Sequence, residues 1–75
     1  MNLGELKKNM TARVLTLEVD ELLKTRLFDM GLKEGVEVVT EQIAPLGDPI
    51  KIRVNHFCLL IRKELAAKII VEVVK

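Results

Sequence analysis

The sequence predicts a mainly β fold, a small β-barrel of about five strands with one α-helix after the first strand and a short helix before the last. Three observations point there. Apolar residues alternate with a period of two in several separate stretches, the period becomes helical at only one place of any length, and the chain has just 75 residues. A chain that short buries about 60 to 65% of its unfolded surface, so all of its strands must share one thin core. Closing the sheet into a barrel then removes edges that a domain of this size protects poorly. Residues 1–75 are expected to form a single, complete domain, with no repeat, linker or low-complexity tract.

The first strand is expected over Ala12 to Leu17, with Ala12, Val14 and Thr16 on one face against Arg13, Leu15 and Leu17 on the other. The period then changes. Asp20 is suited to cap a helix from about Glu21 to Met30, in which Leu23, Leu27 and Met30 form the apolar row. Gly31 stands where a left-handed C-terminal residue is needed, and Leu32 is placed to pack back on Leu27. A second strand, Val36 to Ile43, puts Val36, Val38 and Thr40 on one face. The prolines and glycine of Ala44-Pro45-Leu46-Gly47-Asp48-Pro49 end it in an exposed connection, since they cannot continue a ladder.

Ile50, Ile52 and Val54, then Phe57, Leu59 and Ile61, predict two strands of a hairpin. Only Asn55 and His56 separate them, which favours a tight mirror-image turn with positive φ at both positions. Lys63 to Lys68 is a helical turn or slightly more. Ile69 to Val74, rich in β-branched residues, closes the sheet as its last strand.

Composition narrows function. Hydrophobic residues make up 49% and charged residues 31%, which excludes disorder and commits nearly every apolar side chain to the core. A formal charge of +1 lacks the positive surplus of a domain held by phosphates, so no nucleic acid is expected as a partner. No apolar run is long enough for a signal peptide or a membrane span, and the single Cys58 agrees with a reducing compartment. A cytoplasmic protein without direct membrane insertion is expected.

His56 and Cys58 lie two apart, with Glu64 beyond, and invite comparison with a metal site. A closed zinc site needs about four protein ligands and a catalytic one about three, so no metal ligand is assigned, and no cofactor. A turn histidine and an outward cysteine are the simpler reading. Nucleophilic catalysis by Cys58 would need an oriented base and oxyanion donors, which the sequence does not offer, and no enzyme is expected. Phe28 and Phe57, the only aromatic residues, are expected inside, which leaves no aromatic platform for bases or proline-rich peptides. What remains is the loop Pro45, Leu46, Gly47, Asp48 and Pro49, a rigid turn carrying an apolar side chain, either a protein-contact site or a plain strand connection.

Arg26-Leu27-Phe28-Asp29-Met30-Gly31-Leu32, Gly35-Val36-Glu37-Val38 and Ala44-Pro45-Leu46-Gly47-Asp48-Pro49 together resemble the FeoA family. Ile50, Arg53, Leu59, Arg62 and Ala66 continue the likeness over nearly the whole chain, and the Ala-Pro-Leu-Gly-Asp-Pro run is its most specific part. The resemblance implies an SH3-like barrel, found free in the cytosol or as the C-terminal module of iron-dependent repressors of the DtxR type. It further implies an accessory role in bacterial ferrous iron uptake, by contact with the membrane transporter FeoB and its cytosolic GTP-binding region. An arginine lent to that nucleotide site would come from Arg13, Arg26, Arg53 or Arg62, none of which spacing marks out. The alternative is a metal-responsive or metal-binding SH3-like domain. Three departures from the family pattern concern turns: Glu34 for a frequent proline, His56 for a frequent glycine, and Asn9-Met10 for a glycine turn. Oligomeric state does not follow from any of these residues.

Overall fold

Alternating apolar residues make five strands of the chain, and each strand pairs antiparallel with its neighbours. A computed structural model describes residues 1–74, with β1 at Thr11–Leu17, β2 at Glu37–Ile43, β3 at Ile50–Val54, β4 at Phe57–Ile61 and β5 at Ile69–Val74. Helix α1 (Glu21–Asp29) follows β1, and the single turn α2 (Lys63–Ala66) precedes β5, as the sequence predicts. The sheet order is β4-β3-β2-β1-β5. β4 and β5 stand at its two ends, so hydrogen bonding does not close the barrel, and the expected removal of both edges does not occur. Ala12, Val14, Val38, Ile52, Val54, Ile69 and Val71 line the core between the strands.

Two bulges set the phase of the interior. In β1 the register slips between Val14 and Thr16, leaving Leu15 as the extra, half-exposed residue. The face therefore changes, and Leu17 is buried with Ala12 and Val14 where plain alternation would put it outside. In β2 the slip falls between Thr40 and Gln42, so Glu41 is the extra residue. Thr40 faces inward as expected, with its hydroxyl buried and unpartnered among the described residues.

Helix α1 begins where Asp20 accepts a 2.8 Å hydrogen bond from the Leu23 N–H. It ends as the sequence predicts. The Leu32 N–H donates to Leu27 O and the Gly31 N–H to Phe28 O, each at 2.9 Å, with Gly31 at φ 91° and both leucines buried. Only Leu27 of the helix is fully buried, because a short helix laid on a thin core has room for a narrow stripe. Phe28 is accordingly 57% exposed and Met30 half-exposed, and Phe57 is 66% exposed, against the expectation of interior phenylalanines. Phe57 opens an edge strand. It has Val54 on one flank and, among the described residues, no strand on the other.

Only Asn55 of the two hairpin residues has positive φ, at 56°, so the turn is not the doubly positive kind expected. That sign pattern spares His56 the left-handed region, which suits a residue heavier than glycine. Asn9 adopts φ 70° and supplies the geometry of the turn that the family pattern assigns to glycine.

The first residues, which the sequence leaves without an element, form a short 3₁₀ turn at Leu3–Glu5 that buries Leu3 and Leu6. The segment before it runs along β5. The Val71 N–H donates to Met1 O at 2.8 Å, and Asn2 forms an antiparallel bridge with Ile70.

Candidate functional site

Two prolines and a glycine shape the connection from β2 to β3. The Gly47 N–H donates to Ala44 O at 2.7 Å, closing a β-turn with Pro45 and Leu46 at its centre, and the Ala44 N–H donates to Pro49 O at 3.1 Å. Gly47, at φ 85°, takes a conformation costly for a residue with a Cβ. The peptide bond between Asp48 and Pro49 is cis. Leu46 sits at the tip, 93% exposed, the most exposed of the large apolar side chains. Pro45 is also exposed, whereas Gly47 and Pro49 are half-buried.

Asp48 differs from its neighbours. Its Oδ1 accepts a 3.0 Å hydrogen bond from the Lys63 N–H, at the start of α2. The carboxylate thus supplies an acceptor to a helix whose N-cap residue, Arg62, makes no side-chain cap bond. Of the five loop residues, Leu46 is free to meet a partner and Asp48 is partly occupied within the fold.

A second apolar surface, which the sequence does not reveal, lies along β4. Phe28, Met30, Phe57 and Leu59 line a groove of about 360 Å³ between the end of α1 and that strand. The Lys33 ammonium stands 5.0 Å from the centre of the Phe28 ring, within reach of a cation–π contact. On the other face of β4, Leu60 is 70% exposed beside a smaller hollow lined by Gln42, Ala44, Pro49 and Lys51. The leucine is thereby brought next to the Pro45–Pro49 loop.

Polar chemistry is sparse. The Cys58 thiol donates to Glu41 Oε1 at 3.4 Å, and Glu41 also pairs with Arg53 at 3.2 Å. His56 is exposed in the hairpin turn and is not in the β4 ladder with Cys58. No group of three or more His, Cys, Asp or Glu side chains converges as metal ligands do among the described residues. Arg13 bridges Glu37 and Glu72, each at 3.3 Å, so Arg13 and Arg53 are engaged at home, while Arg26 and Arg62 have no ion pair among the described residues. No helix there is long and apolar enough to cross a membrane.

Known proteins resemble this chain in sequence and in fold. The FeoA domain family matches residues 1–73. A Porphyromonas gingivalis protein, an Fe(2+) transport protein A/Fe(2+) transporter FeoB fusion, is 34% identical over 74 residues, which cover 99% of this chain and 9% of that protein. The chain therefore spans a small part of that relative. The solution structure of the FeoA protein from Chlorobium tepidum superposes with a TM-score of 0.93 at 35% identity, covering 100% of this chain and 71% of that one. The crystal structure of Stenotrophomonas maltophilia FeoA complexed with zinc, described as a prokaryotic SH3-domain protein, has a TM-score of 0.82 at 25% identity, covering 96% and 89% of the two chains.

Proposed function

The chain belongs to the FeoA family, an SH3-like, non-catalytic accessory domain of ferrous iron transport, and from that premise we propose that residues 1–75 act as one cytoplasmic domain that contacts a FeoB-type membrane transporter through the loop Pro45, Leu46, Gly47, Asp48 and Pro49. The partner surface is the transporter's cytosolic GTP-binding region. The observation that carries this reading is Leu46, almost wholly exposed on a turn whose backbone is already closed by internal hydrogen bonds. A preformed loop loses little entropy on association, and an apolar tip gains from leaving water. The fusion in Porphyromonas gingivalis supports the choice of partner, since there the two activities named share one polypeptide.

The test is a binding isotherm of this protein with the cytosolic domain of a FeoB-type transporter, with and without guanine nucleotide. Leu46→Ser is expected to weaken association about tenfold, or about 1.4 kcal/mol, with an unchanged melting curve. Undiminished affinity in the folded variant removes the loop from the interface.

A metal-binding reading is favoured by one observation, the zinc bound to the Stenotrophomonas maltophilia relative. The present side chains offer it little, because one histidine and one cysteine do not fill a coordination shell. Calorimetry is expected to find no submicromolar ferrous or zinc binding at neutral pH. Tight binding that disappears in a His56→Ala, Cys58→Ala double variant would transfer the function to metal sensing or carriage.

A further inference from the structure

Among the described residues β4 meets no strand on its outer side. It ends the sheet order, and among the described residues no backbone hydrogen bond from beyond its hairpin partner β3 reaches Phe57 to Ile61. Phe57 lies opposite Val54 across the two-residue turn, and the closing pair of such a hairpin is hydrogen-bonded. Alternation along the ladder then turns the N–H and C=O groups of Cys58 and Leu60 outward, toward solvent.

Different surfaces flank those groups on the two faces of the sheet. On one face the groove of Phe28, Met30, Phe57 and Leu59, which Asp29 and Asn55 also line, is mainly apolar and large enough for aliphatic side chains. On the other, Lys51 stands opposite Leu60, and Arg62 lies two residues beyond it along the chain. Neither cation has an ion-pair partner among the described residues. A strand laid beside β4 would project alternate side chains into these two environments.

We propose that the β4 edge accepts an extended segment of another protein by strand addition, a segment in which apolar residues alternate with acidic ones. The apolar set enters the groove beside Phe28 and Phe57, and the acidic set faces Lys51 and Arg62. Charge disfavours a second copy of this chain as the occupant. Pairing β4 with β4 would bring Lys51 and Arg62 of one copy, neither ion-paired among the described residues, toward the same residues of the other, and like charges on facing surfaces oppose such a pair. The molecule already uses the same backbone chemistry on itself, where Met1 and Asn2 pair with Ile70 and Val71 along the other edge.

This surface is distinct from the Leu46 tip and does not depend on the transporter, so a synthetic probe tests it alone. Labelled protein is titrated, by amide NMR, with a short capped peptide alternating valine and glutamate, and separately with one alternating valine and lysine. The glutamate peptide is expected to move the resonances of Cys58 to Ile61 and of Phe28 to Gly31, and the lysine peptide to bind at least about tenfold more weakly. Leu60→Pro removes one outward N–H without taking a donor from the β3 ladder, and is expected to abolish binding. Should that variant fail to fold, the double variant Lys51→Glu, Arg62→Glu is expected to reverse the preference between the two peptides. No binding, equal binding of both peptides, shifts confined to other elements, or a concentration-dependent dimer through β4 would each overturn the proposal.

Discussion

The two ends of the sheet are both strands of similar length, yet one is finished by the chain and the other is left open. Along β5 the backbone bonds of Met1 and Asn2 continue the sheet, and the 3₁₀ turn that follows drives Leu3 and Leu6 into the core. Along β4 nothing among the described residues continues it, and Phe57 and Leu60 face solvent. Edge strands with exposed apolar residues invite association, and small domains usually blunt them with charge, bulges or cover. Here cover is spent on one edge only. The difference separates an end of the molecule that serves stability from one available for contact.

The largest test of that division is Leu3→Ala. Leu3 is fully buried and holds the covering segment down, so its truncation should cost about 3 kcal/mol in denaturant unfolding. Leu60→Ala at the open edge should change stability by less than about 0.5 kcal/mol. Comparable losses at both sites would erase the distinction drawn between the edges.

Next in size is Gly31→Val, which perturbs the helix end that presents Phe28 and Met30 beside β4. No atom lies closer than 3.6 Å to an added Cβ, so the cost comes from the backbone at φ 91°. A loss of about 1 to 2 kcal/mol is expected, read as a lower melting temperature. A variant melting with the parent would mean that the helix ends differently.

How much of this was legible in the sequence depends on the range of the interaction. The ending of α1 was, because Leu27, Phe28, Gly31 and Leu32 form their bonds within one turn of chain. So was the alternation of Ile50, Ile52 and Val54, since β3 is paired on both sides and its interior face is buried along its length. The exposure of Phe28 and Phe57 is not legible, because burial is decided by what comes across from elsewhere, and no local period announces that β4 lies at an edge. The bulge at Leu15 is hidden for a related reason. Leu15 and Leu17 look alike in sequence, and only the pairing with β5 tells them apart. The loop at Pro45 to Pro49 was legible as a turn, but the bond from Lys63 to Asp48 spans 15 residues and was not.

That bond gives a third, smaller test, now within the loop itself. Asp48→Ala is expected to lose about 1 kcal/mol by leaving the first turn of α2 without its acceptor, while Leu46→Ser loses almost none. Equal stability of the two variants would return Asp48 to the same standing as Leu46. A control in the middle of the sheet, touching neither edge, is Thr40→Val. Removing a buried hydroxyl that has no partner should raise stability by about 0.5 to 1 kcal/mol, seen as a higher denaturant midpoint at the same slope.

Smallest of all is Arg13→Ala on the outer face of β1. Its two carboxylate partners are half-exposed, so the loss should stay below about 0.5 kcal/mol and shrink further in high salt. A larger or salt-independent loss would show that the outer face of the sheet contributes to the fold as the open β4 edge does not.

The extra residue in β1 bears on how the length of this chain can change. Removing any residue between Thr11 and Val14 would rotate part of the strand by one position and bring polar side chains into the core. Removing Leu15 would not, because Val14 and Leu17 would then stand two apart and both keep facing inward. The cost would be the added twist that the bulge supplies. Position 15 is therefore the place in β1 where a one-residue deletion can be accepted, and where an alignment of this strand with a related chain should be allowed its gap.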